Sequence, residues 1–93
     1  MTIFNELKLG LTDEQVAVLE LVSELEKERD EYDDLAGIWL SARVKFAKQY
    51  RESGEEAHRK LRDHADDVYH KYDKLSYEAT VQMHELAEHY KSL

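Results

Sequence analysis

Proline is absent from this chain of 93 residues, and beyond Gly37 a single glycine, Gly54, interrupts the run to the C-terminus. A chain so poor in helix breakers, with apolar residues three and four apart, is committed to long helices. Gly54 lies in "YRESGEEAH", Tyr50 to His58, which reads as a turn at 53–55 between two of them. Glycine suits the left-handed position just beyond a helix end. Glu55 and Glu56 then open the next helix, where the positive end of the dipole favours acids.

Before the turn, Thr12 has the chemistry of an N-cap, and Gln15 three residues on completes a capping box. Residues 1–11 precede it as an arm or short helix, with Ile3, Phe4, Leu7, Leu9 and Leu11 available to pack on the rest. From Thr12 the helical signal runs to about Ser53. At about 100° per residue, Leu21, Leu25, Tyr32, Leu35, Phe46 and Tyr50 cluster around Trp39 on one face. From Leu35 to Tyr50 the apolar surface widens past half the circumference, which predicts a central core segment covered from more than one side. Asp33, Asp34 and Gly37 mark a possible break, giving three helices at about 12–32, 35–53 and 55–92. Without it, two helices of nearly equal length form an antiparallel hairpin, and the matched lengths favour that alternative.

After the turn, Leu61, Ala65, Val68, Tyr72, Leu75, Ala79, Gln82, Leu86, His89 and Leu93 follow a four–three spacing, a coiled-coil-like seam. Such a helix extends about 57 Å at about 1.5 Å per residue, too long for a compact monomeric core. Leu40, Val44, Tyr69, Tyr77 and Met83 would still need cover. The expected fold is therefore all-α: a long antiparallel helical hairpin over 12–93, assembling as a dimeric helical bundle.

Charge narrows the partners. Thirteen Lys and Arg stand against 21 Asp and Glu, a formal charge of −8. That balance disfavours direct nucleic-acid binding and an anionic membrane surface, and it permits a basic protein partner. The 42% hydrophobic content is too high for simple disorder. There is no cysteine for a disulfide, a thiolate site or a nucleophile. No basic, then apolar leader opens the chain, so a cytoplasmic location is expected, that of the host cell if a phage encodes it.

The charges are also segregated. Residues 12–34 hold ten acids against Lys27 and Arg29, whereas 43–62 hold seven cations against Glu52, Glu55 and Glu56. A hairpin turning at Gly54 gathers Arg43, Lys48, Arg51, Arg59 and Arg62 near its tip. That tip is either a contact site for an acidic ligand or nucleic acid or half of an antiparallel dimer lock, and the lock is favoured because it uses both charged ends. The acidic block "ELEKERDEYDD" offers Glu24, Glu28, Glu31 and Asp34 as carboxylates that could imitate a phosphate array. The apolar contact residues expected in a dimer or partner interface are Trp39, Phe46, Leu61, Val68, Tyr72, Leu75 and Leu86.

Catalytic signals are sparse. "HELAEH" (84–89) has one residue more than the zinc-protease spacing, so His84 and His89 do not share a face. Asp66, His70 and Asp73 line one side of a helix, a candidate carboxylate–imidazole group. No serine stands near a base in a nucleophilic arrangement. Glu20, Glu24, Glu31 and Asp34 form an ExxxE and an ExxD that loosely resemble the acidic motifs of the MazG-type all-α nucleotide pyrophosphatases, which would imply magnesium-dependent hydrolysis; the family's paired EExxE is absent. Secreted ESX-type hairpins are similar in size and acidity, and "YHKYD" (69–73) fits their YxxxD, but Trp39 lacks their WxG setting. No catalytic residue, cofactor or metal site is expected. A small acidic adaptor, regulator or inhibitor of the sort phages and mobile elements encode is the expected class, with nucleic-acid mimicry second and a metal-dependent pyrophosphatase a distant third.

Overall fold

The structure, a computed structural model, describes residues 10–93. Two helices account for nearly all of them, α1 (Asp13–Ser53) and α2 (Glu56–Ser92), with no strand among the described residues. The expected arm at 1–11 lies, except for Gly10 and Leu11, outside the described residues.

Local chemistry sets the ends. The Thr12 hydroxyl accepts from the Gln15 backbone N–H (3.1 Å), and the Thr12 N–H donates to the Gln15 side-chain oxygen (2.9 Å), closing the capping box. Gly54 sits at φ 68°, ψ 8°, and its N–H donates to the Tyr50 carbonyl at 2.7 Å. Ser53 then bridges the turn: its hydroxyl accepts from the Glu55 N–H (3.2 Å) and pairs with His58 Nδ1 (2.6 Å). α1 passes through Asp33–Gly37 unbroken. The Asp33 carboxylate accepts a hydrogen bond from Ser76 of α2, so it is drawn away from the local backbone that Asp otherwise competes for.

The hairpin measures 64 × 27 × 12 Å, one helix thick in its short dimension. Its radius of gyration is 19.8 Å, where a compact chain of this length would have about 12 Å. Domains ordinarily close a core between two layers, and this chain supplies one. The buried residues are accordingly small: Val18, Ala36, Ala65, Ser76 and Ala79. No large side chain is fully enclosed among the described residues. The wide apolar segment at 35–50 is thus covered by α2 on one side only, and Ile38 and Val44 remain 62% and 59% exposed.

The seam of α2 is also rotated from its expected position. Ala65 and Ala79 are buried on the line facing α1, with Ser76 buried to one side of that line. Leu61, Val68, Leu75 and Gln82, four residues before or three after a member of that row, stand to the other side. The heptad thus serves two directions: one row meets α1, and a second flanks it.

Candidate functional site

The rotation gives the flat hairpin two unlike faces. On the first, Leu21, Leu25, Leu35, Trp39 and Phe46 of α1 adjoin Leu61, Val68, Leu75 and Leu86 of α2. Val68, Leu75, Trp39 and Phe46 are half-buried and Leu21 and Leu61 are exposed. Trp39 leans across to His64, ring centres 5.6 Å apart and nearly perpendicular (87°). Tyr32 stacks on Tyr72 at 6.3 Å, with the Lys71 ammonium 5.7 Å from the Tyr72 ring. Toward the open end, Leu21, Leu25 and Leu86 floor a groove of about 540 Å³, rimmed by Glu24, Glu28, Gln82 and Glu85. Glu24 and Glu28 therefore border an apolar depression.

The opposite face is stitched by polar contacts. Arg43 donates to Asp66 at 2.7 Å and lies 5.4 Å over the Tyr69 ring, and Ser76 donates to Asp33. The Arg43 guanidinium, with His70 (3.4 Å) beside it, holds the Asp66 carboxyl below its ordinary range. Near the turn, Arg43, Val44, Ala47, Arg51 and Arg62 line a shallow groove. Arg62 rests 5.2 Å over Tyr50.

The basic tip is weaker than the sequence window suggests. Arg43 pairs with Asp66, Arg62 with Asp63 (2.9 Å), and Arg59 with Glu56, which raises the Arg59 pKa further. Asp63 and Asp66 lie just past the 43–62 window. They neutralise cations counted within it. Arg51 and Lys48 remain exposed at the tip.

Glu31 and Asp34 are exposed on the side of α1 turned from α2. The four acids that resemble the MazG-type motif lie along a single helix. Among the described residues no group of three His, Asp or Glu side chains is placed to hold a metal ion. Of the Asp66–His70–Asp73 set, Asp66 is already engaged by Arg43, with His70 as its neighbour. His89 reaches across to Glu14 (3.2 Å), a pairing that fastens the open end. Local spacing could reveal neither this contact, 75 residues apart, nor Asp33–Ser76, 43 apart.

No described helix is long and apolar enough to cross a membrane. The chain matches no family model, no curated protein and no solved structure at a significant level, so its fold class, an all-α helical hairpin, rests on its own geometry.

Proposed function

We propose that this protein is a small acidic protein–protein interaction module, an adaptor, regulator or inhibitor that acts by presenting helical surface to another macromolecule and not by turning over a substrate. One observation carries the reading: the hairpin is a single layer whose Trp39 face carries a strip that leaves Leu21 and Leu61 exposed beside the half-buried Trp39 and Phe46. Contiguous apolar surface of this kind marks a site of association. The acids bordering that strip favour a partner with basic residues at its rim.

The test is a photoactivatable cross-linking residue placed in the living host at Leu61, on the Trp39 face, and separately at Tyr77, 69% exposed on the other side. Discrete adducts heavier than the chain are expected from at least one position. Silence from both refutes the proposal.

A second reading, occupation of a basic nucleic-acid-binding surface, is supported by exposed Glu31 and Asp34 on the outward side of an unbroken helix, with Glu24 and Glu28 exposed at its groove edge. Such carboxylates would act through polyanion electrostatics. Under it, duplex DNA competes the adducts away and exchanging Glu24, Glu28, Glu31 and Asp34 for their amides abolishes them at unchanged helicity. Adducts that survive both point back to the apolar strip.

A further inference from the structure

We infer that the Trp39 face docks a second copy of this chain, antiparallel to the first, leaving the Arg43 face outward. The inference rests on the reading above, that the open strip is a protein-docking surface, and adds its occupant and orientation.

Area comes first. The chain exposes 6869 Å², against about 5600 Å² for a folded monomer of 11.0 kDa. A single layer leaves more surface than a compact domain of this mass, by an amount comparable to the roughly 800 Å² that each partner contributes to a standard interface. A second identical layer would supply the missing half of a four-helix bundle.

Chemistry selects the face. The cross-helix ties Asp33–Ser76, Arg43–Asp66 and Arg43–Tyr69 satisfy the polar groups of the opposite face within the chain. The Trp39 face gathers Leu21, Leu25 and Leu86 in one groove with Leu61 farther along, whereas the exposed Val44 and Tyr77 of the opposite face lie at separate levels beside those ties. Joining one face to the other would propagate without closing, whereas Trp39 face on Trp39 face closes by a two-fold axis.

Two such dimers are possible. A parallel one lays α1 on the other chain's α2 and brings Glu24 and Glu28 against Glu78 and Glu85, like against like. An antiparallel one lays α1 on α1 and α2 on α2 about their midpoints, Asp33 and Lys74. Phe46 and Leu21 are 13 and 12 residues to either side of Asp33, and Leu61 and Leu86 are 13 and 12 to either side of Lys74. Phe46 and Leu61 of each chain therefore meet the groove floored by Leu21, Leu25 and Leu86 of the other. Glu78 and Lys71 are likewise 4 and 3 residues from Lys74, and Glu85 and His64 are 11 and 10. Glu78 and Glu85 of α2 thus fall opposite Lys71 and His64. Charge pattern of this kind fixes orientation more than affinity.

Because the chain has no cysteine, Glu55→Cys places one spin label at each turn. Pulsed electron–electron resonance on the full-length protein should give a separation on the order of 60 Å, the length of α1 at about 1.5 Å per residue. Adjacent turns, within about 20 Å at ordinary helix spacing, would overturn the orientation. Light scattering then tests the face. Leu61→Glu, at a position 44% exposed in the single chain and so tolerable there, should weaken dimerisation about tenfold or more at unchanged helicity. Val44→Glu, on the Arg43 face, should leave the dimer intact. The reverse pattern overturns the face. A chain that is monomeric at high micromolar concentration overturns the second copy altogether. If that monomer still cross-links another protein through position 61, the interaction reading survives the loss; if it cross-links nothing, both fall.

Discussion

Gly37→Ala should stabilise the protein, and by a calculable amount. Gly37 lies inside α1, is exposed, and a Cβ built there meets nothing within 4 Å. The substitution therefore adds no clash and leaves only the backbone effect, about 0.9 kcal/mol in favour of alanine within a helix. The unfolding entropy of a chain this long is about 0.2 kcal/mol/K, from roughly 2.1 cal/mol/K per residue. The expected rise in Tm is then about 4–5 °C. Circular dichroism melts would measure it, at one protein concentration because association makes Tm depend on it. Amide exchange across Asp33 to Trp39 should slow in parallel. An unchanged or lower Tm with the same oligomeric mass would refute a continuous helix here, since a glycine at a break or in a strained conformation gains nothing from a methyl group.

Ala65→Leu should do the opposite: Ala65 is 0% exposed on the line of closest approach, and overpacking such a site costs about 1–3 kcal/mol. A Tm loss of less than a degree would mean the helices stand farther apart than the small-residue seam implies. Gly54→Ala forces a side chain into the left-handed region at φ 68° and should cost about 1 kcal/mol, read as a lower denaturation midpoint. Asp66→Asn tests the Arg43 pair by pH. The Arg43 guanidinium holds the native carboxyl below the ordinary aspartate range, so its stabilisation is complete at neutral pH and is lost as pH falls through the depressed native value. The stability gap between wild type and Asp66→Asn should therefore close in acid; a gap that stays constant from neutral pH to strong acid would show that ionisation of Asp66 contributes nothing.

Elements governed by neighbouring residues were legible in the sequence. Thr12 and Gln15 define the start of α1, Gly54 defines its end, and equal helix lengths point to the hairpin. The seam was only half legible. A four–three spacing names two rows of a helix without saying whether both meet the same neighbour. Here Ala65 and Ala79 are buried on the line of contact, where their small side chains permit close approach, while Leu61, Val68 and Leu75 flank it. The rotation is held by Asp33–Ser76 and Arg43–Asp66, which join residues 43 and 23 apart. No local pattern encodes such pairs. The balance of charge at the tip is partly hidden for a related reason: a window on the sequence stops at Arg62, whereas the helix continues into Asp63 and Asp66, which pair with Arg62 and Arg43.

The turn at Gly54 makes the molecule adjustable in length. Its contacts are nested about that residue, from Tyr50–Arg62 near the tip through Trp39–His64 and Asp33–Ser76 to Glu14–His89 at the open end. A one-residue insertion in either helix would rotate everything beyond it by about 100° and misalign every later rung. Removing seven residues from each helix at matched levels would instead preserve the facing rows and shorten the rod by about 10 Å, two turns at about 5.4 Å each. Such a hairpin behaves as a ruler graduated in heptads: its reach can be reset in paired steps while its tip and its opening stay as they are.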